Sequence, residues 1–127
     1  MTRTAANLTP VEMRQYRAAA QQRAEAQKAA LAVRQERAWE LARHAAGVLR
    51  TQFNVARVAV FGSLIHPGRF HRWSDVDLAV WGLVPESYFR AVGVLLDMSS
   101  EIEINLVDVT ACSAGLLAAI EQESVEL

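Results

Sequence analysis

Between Val11 and Gly47 the chain contains neither glycine nor proline, and no other feature limits its fold as strongly. Alanine, glutamine, arginine and glutamate dominate this stretch, and all of them favour or tolerate the α-helix. The sequence predicts a long helix that ends near Arg50, or two helices with a break near residues 27–31. A turn is predicted to follow over residues 52–54.

The start of this helix carries residue types that are typical of a helix N-terminus. Thr9 is suited to the N-cap, Pro10 to the first helical position and Glu12 to the first turn. The large apolar residues lie in the second half of the helix, whereas the first half is rich in alanine. We therefore expect the first half to project from the domain or to pack on a partner.

Charge is unevenly distributed along the chain, although the formal net charge is only -1. Residues 1–50 contain nine Lys and Arg against four Asp and Glu, whereas residues 51–127 contain four against ten. A basic first half suits nucleic acid or an acidic partner. A solvated helix with ordinary arginine content explains the same residues, and composition alone favours that interpretation.

The rest of the chain alternates between apolar runs and segments with helical spacing. Strands are predicted from β-branched or alternating runs at Val55–Phe61, Asp75–Trp81, Glu101–Val109 and Val125–Leu127. Further helices are predicted at Glu86–Met98 and Ser113–Glu123. This order predicts an α/β fold in which a small mixed β-sheet has flanking helices and follows a long N-terminal helix.

Length and composition set further limits. A chain of 127 residues, of which 52% are hydrophobic, suits one domain with one core. Cys112 is the single cysteine, so no internal disulfide forms, and no zinc-ligand pattern surrounds it. No apolar run is long enough to span a membrane and no secretory pattern opens the chain, so we expect a cytoplasmic protein.

Two short motifs near the first two strands point to chemistry. Gly62 and Ser63 follow the first strand, and Asp75 and Asp77 lie at the start of the second. The two carboxylates are two residues apart on a predicted strand, so they project from one face and repel each other unless a cation lies between them. Oxygen ligands of this kind suit Mg²⁺ that is shared with substrate phosphates. Gly62 permits close backbone approach to a phosphate.

These motifs, in the segment FGSLIHPGRFHRWSDVDLAVWGL at Phe61–Leu83, resemble the signature of the DNA polymerase β-like nucleotidyltransferase superfamily. That signature is Gly-Ser, a spacer and then Asp-x-Asp. More narrowly, the chain resembles the minimal nucleotidyltransferases, small proteins that are often paired with a HEPN-domain toxin. The resemblance covers about residues 35–127, with the third predicted strand at the place of the family's third core strand.

The resemblance implies a nucleotidyltransferase fold and the transfer of an NMP, with AMP expected, from an NTP to a hydroxyl. Asp75 and Asp77 would hold Mg²⁺ or Mn²⁺, and ATP is the expected substrate. Gly62, Ser63 and Ser74 would contact the nucleotide. The acceptor would lie on a partner HEPN toxin, which gives the chain an antitoxin role. Residues 1–50 would form a helical arm, and residues 51–127 the minimal nucleotidyltransferase domain.

The sequence departs from the family pattern on the third strand, where members carry a third carboxylate. Asn105 occupies that position, and an amide is neither an anion nor a base near neutral pH. Glu103 lies on the same predicted face and is the candidate replacement as the catalytic carboxylate. Three interpretations stay open: an active enzyme that uses Glu103, an impaired enzyme that still binds nucleotide and metal, and a protein that acts by binding alone. Asn105 is itself a candidate nucleotide-binding residue.

The alternative function is a catalytically impaired regulatory module that masks a protein partner without chemistry. Asn105 and the alanine-rich first half of the long helix favour it. A third hypothesis, nucleic-acid binding through the basic helix, predicts an affinity that falls steeply with salt. The partner is therefore expected to be a HEPN-type toxin or a second copy of the chain, and nucleic acid is the least favoured.

Overall fold

The computed structural model describes residues 7–127 and divides the chain into two compact units. The first unit ends at Val33, and the second, Arg34–Leu127, contains the sheet. Helix α1, Pro10–Phe53, runs unbroken through this boundary, so the alternative of two helices is wrong.

The arm and domain predicted from the sequence divide the chain at residue 50, within α1. That division stays a prediction, and the first six residues of the arm lie outside the described residues. Within residues 7–127, no helix is both long and apolar enough to cross a membrane.

Capping interactions at both ends of α1 follow from the local sequence. The Glu12 N–H donates to Thr9 Oγ1 at 3.1 Å, which confirms the predicted N-cap. At the other end α1 continues to Phe53, so the turn predicted at residues 52–54 begins only at Asn54. Asn54 has a φ of 52°, a left-handed conformation that asparagine tolerates better than most residues and that ends helices.

The second unit is built on a four-stranded mixed sheet, as the sequence predicts. Its strands are β1 Arg57–Phe61, β2 Val76–Trp81, β3 Ile104–Asp108 and β4 Val125–Glu126. Their order is β3-β2-β1-β4, in which β2 and β3 are parallel and the other two pairs are antiparallel. Helix α2, Tyr88–Leu96, connects β2 to β3, and helix α3, Ala114–Gln122, connects β3 to β4.

Strand alternation sends apolar side chains to both faces of the sheet. On one face Ala79 and Val109 pack with Ile120 of α3, and Phe61 and Trp81 lie against this cluster. Side chains on the other face are buried in the core, and these are Val58, Val60, Val76, Leu78, Val80, Ile104 and Leu106. Asp77 shares a face with Ala79 and Trp81, two and four residues further along β2. The carboxylate therefore continues the face that packs against α3.

Candidate functional site

The ends of β1 and β2 bring the Gly-Ser pair and the Asp-x-Asp pair together, as the sequence predicts. Phe61 pairs with Asp77 in the antiparallel register, so Gly62 leaves β1 beside that carboxylate. Gly62 has a φ of 78°, which favours glycine, and a Cβ placed there would overlap Asp77 Oδ2. The backbone turn and the carboxylate therefore approach closely only because residue 62 has no side chain.

Ser63 belongs to a short 3₁₀ helix, Gly62–Ile65, that opens directly after β1. Its side chain is partly exposed, and its carbonyl accepts the His66 N–H at 3.1 Å. Leu64 is buried, so the 3₁₀ helix is fixed to the core while Ser63 stays accessible. Accessibility is the first requirement for the predicted phosphate contact, which itself stays a prediction.

The predicted side chains on β2 and β3 share one face because these strands are parallel and in register. Asp77 pairs with Asn105, and the Asn105 Nδ2 donates to Asp77 Oδ1 at 3.1 Å. The Val76 N–H donates to the Glu103 carbonyl at 3.0 Å, which extends the pairing to the residue before β3. Asp75 and Glu103 therefore fall on the same face by alternation. Asn105 thus occupies the position opposite Asp77.

The environment of Asp77 raises the pKa of this central carboxylate. Desolvation raises the pKa of Asp77 above its ordinary value of 3.8, the Asn105 hydrogen bond lowers it, and the negative charge of Asp75 raises it. Burial is the largest of these causes, and the net direction is upward. The site therefore disfavours the charged form of Asp77, and a bound cation would favour that form.

The donor set at this end of the sheet suits a hard divalent cation that is shared with phosphates. Among residues 7–127, no three His, Cys, Asp or Glu side chains group closely enough to enclose a metal ion. Mg²⁺ typically takes only one or two protein carboxylates and completes its shell with water and substrate phosphate oxygens. Asp75 and Asp77 meet that requirement, whereas a dedicated metal cage would need further ligands.

Ser74 has a structural position that the sequence does not reveal. It is 5% exposed, and its Oγ accepts the His71 N–H at 2.9 Å. The Ser74 N–H donates to the His71 carbonyl at 2.9 Å, and the Trp73 N–H donates to His71 Nδ1 at 3.2 Å. These bonds close a turn directly before Asp75. The predicted nucleotide contact of Ser74 stays a prediction.

Other residues of the loop between β1 and β2 face solvent or hold the loop in place. His66 Nε2 lies 3.1 Å from Glu123 Oε2 after the end of α3. Trp73 is 69% exposed, with the Arg72 guanidinium 3.9 Å from its ring centroid. Trp81 is partly buried in the core cluster, as expected for a packing residue. The loop is therefore solvated at Trp73 and held in place at His66.

An apolar pocket lies near the far end of β3, where no sequence motif indicated a site. Apolar side chains from α2, β3 and α3 line it, including Tyr88, Phe89, Leu106 and Leu116. Cys112 also lines it and donates through Sγ to the Val109 carbonyl. The Tyr88 hydroxyl donates to the Leu106 carbonyl at 2.8 Å, and Phe89 is 85% exposed.

Comparisons with known proteins place the fold but not the family. No protein-family model matches the chain, and no curated protein matches it. Among solved structures, the chain is similar to one from the crystal structure of a toxin-antitoxin with AMP-PNP, at 22% identity and a TM-score of 0.54. The similarity covers 65% of this chain and 69% of that chain. At this identity the similarity establishes a shared fold.

Proposed function

We propose that this chain is a minimal nucleotidyltransferase that binds Mg²⁺ and an NTP, with ATP the first candidate. The observation that carries the proposal is the meeting of Gly62 with Asp77. A turn without a side chain lies against a carboxylate with a raised pKa, and this contact supports the binding of a phosphate together with its cation. Asp75 supplies the second carboxylate on the same face.

The residues have distinct roles in the proposed transfer of an NMP to a hydroxyl. Asp75 and Asp77 bind Mg²⁺, which supplies charge stabilisation for the α-phosphate and the leaving pyrophosphate. The backbone at Gly62 and the hydroxyl of Ser63 orient the phosphates. Glu103, which is exposed beside Asn105, accepts the proton of the attacking hydroxyl. Asn105 fixes Asp77 Oδ1 through its amide N–H.

The partner is proposed from the same resemblance and from the shared fold. The structurally similar chain comes from a toxin-antitoxin structure that was determined with AMP-PNP. This supports an antitoxin role in which the acceptor hydroxyl lies on a protein partner of the HEPN type.

A second function, partner masking without chemistry, is favoured by two specific observations. Asn105 replaces the third carboxylate and already uses its amide to bind Asp77. The exposed Phe89 and the apolar pocket beside it offer a protein-binding surface away from the carboxylates. In this account the nucleotide is bound without turnover, or is not bound at all.

Isothermal titration with ATP and the other NTPs, in Mg²⁺ and then in EDTA, tests the proposal. The matched variant is Asp75→Ala/Asp77→Ala, with circular dichroism as the control for folding. We expect Mg²⁺-dependent binding in the wild type and none in the double variant. A folded wild type that binds no nucleotide would overturn the enzyme proposal and leave partner masking. Binding that survives the double substitution would place the nucleotide elsewhere.

A further inference from the structure

Arg34 of α1 connects the two segments from which the site strands start. Its Nη2 donates to the Ser74 carbonyl at 3.0 Å, and its Nη1 donates to the Glu101 carbonyl at 3.3 Å. These acceptors are 40 and 67 residues away in sequence. Both are backbone carbonyls, so the contacts fix the path of the main chain and not only the position of a side chain.

The two bridged segments carry every predicted carboxylate of the site. Ser74 directly precedes Asp75, and β2 begins at Val76. Glu101 lies two residues before Glu103, and β3 begins directly after Glu103. Arg34 therefore bridges the segments before two parallel strands, at the end of the sheet where Asp77 pairs with Asn105.

The shape of the arginine side chain suits this bridge. A guanidinium presents its donors in a planar fork and can bond two carbonyls at once, whereas the single ammonium of lysine cannot match that geometry. The Arg34 Nε is buried and has no hydrogen-bond partner among residues 7–127. An unpaired buried donor is unfavourable for folding, so it offsets part of the stability that the two carbonyl contacts contribute.

Arg37, one turn further along α1, provides a built-in contrast. Its Nη1 lies 3.2 Å from Glu101 Oε2, with the two side chains 60% and 62% exposed. Exposed ion pairs of this kind contribute little to stability and fix no backbone. The same helix therefore contacts Glu101 twice. Arg34 bonds its main-chain carbonyl, and Arg37 pairs with its solvated carboxylate.

We propose that Arg34 is a positioning residue, which holds the starts of β2 and β3 at the separation that metal and nucleotide binding require. The inference rests on the proposed function for its link to the ligand. Arg34 itself touches neither metal nor nucleotide in this role. Replacing a residue that orients a metal ligand without touching the metal typically changes metal affinity about 10–100-fold.

The test compares Arg34→Met, Arg34→Lys and Arg37→Met in the full chain. Amide hydrogen exchange, followed by NMR without ligand, reports on the Val76 N–H, which donates to Glu103, and the Ser74 N–H, which donates to His71. Isothermal titration with Mg²⁺·ATP reports on the site, and the melting temperature reports on global stability.

We expect Arg34→Met to speed exchange at Val76 and Ser74 about tenfold, as in local opening, with little change at β1 amides. Its affinity for Mg²⁺·ATP should fall about tenfold or more, with a small change in melting temperature. Arg34→Lys should lie between this variant and the wild type, and Arg37→Met should match the wild type in all three measurements.

Two results would overturn the inference. One is an amide exchange rate at Val76 and Ser74 that is the same in Arg34→Met as in Arg37→Met. This result would show that Arg34 does not hold the two segments, whether or not the wild type binds nucleotide. The other is faster exchange with unchanged Mg²⁺·ATP affinity in a wild type that does bind. A wild type without nucleotide binding contradicts the proposed function, whereas the exchange data still test the bridge separately.

Discussion

Two aspartates on neighbouring strands, Asp77 and Asp108, show how the two ends of the β2–β3 pair differ. Asp108 closes β3 and is only 8% exposed, yet its Oδ1 accepts the Thr110 N–H at 3.0 Å and the Thr110 hydroxyl at 2.8 Å. Asp77 near the start of β2 has one amide donor, a neighbouring negative charge and a raised pKa. Burial alone therefore does not single out a candidate functional carboxylate, whereas incomplete compensation of its charge makes Asp77 the candidate.

The largest expected effect comes from neutralising each aspartate in turn. Asp77→Asn removes a proposed metal ligand and should weaken Mg²⁺·ATP binding about 100-fold, the upper end of the effects of metal-site substitutions. Asp108→Asn should leave that binding unchanged. Titration calorimetry on both variants checks the contrast, and equal loss in the two would show that the far end of the strands also serves the ligand.

Stability should move in opposite directions in the same two variants. Without ligand, Asp77→Asn removes a disfavoured charge and should raise the free energy of unfolding at neutral pH. Asp108→Asn weakens charge-assisted hydrogen bonds and should lower the free energy of unfolding by about 1 kcal/mol. Urea denaturation measures both, and a destabilised Asp77→Asn would contradict the charge argument.

Substitution of Glu103 tests whether the Asp77 end of the β2–β3 pair catalyses a reaction. If it is the general base, Glu103→Gln should lower turnover about 100-fold or more while Mg²⁺·ATP binds as in the wild type. The measurement is transfer of labelled AMP to the partner protein, with Glu101→Gln as the control on the same loop. Unchanged transfer would remove Glu103 from the mechanism.

Substitution of Gly62 tests how closely the backbone approaches Asp77. Gly62→Ala forces a side chain into a left-handed conformation and against Asp77, so it should destabilise the fold by about 1–3 kcal/mol and prevent nucleotide binding. Gly115→Ala in α3, where nothing lies within 4 Å of an added Cβ, is the control. Thermal melts measure the stability of both variants, and equal melting temperatures would contradict the close approach of Gly62 to Asp77.

Asn105→Asp converts the site toward the family pattern with a third carboxylate. Without metal, the variant loses the amide donor to Asp77 and adds a like charge, so its melting temperature should fall. With Mg²⁺ its affinity should rise about tenfold, because ligand charge governs binding of hard cations. Titration with Mg²⁺ at low ionic strength measures this. An unchanged Mg²⁺ affinity in this variant would show that position 105 does not contact the metal.

The smallest expected effect is the pH dependence of Asp77. Its pKa is raised in the folded state, so without metal the stability contributed by this group falls as pH rises from 3.8 to the raised pKa. Mg²⁺ requires the ionised carboxylate, so metal affinity rises over the same window. Both trends should disappear in Asp77→Asn, and the difference from the wild type isolates this group from the other carboxylates.

Local patterns in the sequence predicted which candidate residues share a face. Strand alternation grouped Asp75 with Asp77 and Glu103 with Asn105, because a period of two leaves a clear local signal. The register that sets Asp77 opposite Asn105 came from the structure. The toxin-antitoxin structure with AMP-PNP shares the fold, which supports the predicted α/β class.

Other features could not be predicted because their causes are not local. The bridge from Arg34 to the Ser74 carbonyl joins residues 40 positions apart through a backbone acceptor that every residue possesses. The pocket around Cys112 depends on how α2 and α3 flank β3. Neither leaves a periodic or compositional signal in the chain.

Residue-resolved NMR during titration with Mg²⁺·AMP-PNP tests whether the Asp77 end of the β2–β3 pair binds the nucleotide. We expect the amide shifts to concentrate at Gly62, Ser63, Asp75, Asp77 and Asn105, with Asp108 and Thr110 unaffected. Shifts confined to the Asp108 end or to the pocket around Phe89, or no shifts at all in the folded protein, would contradict it.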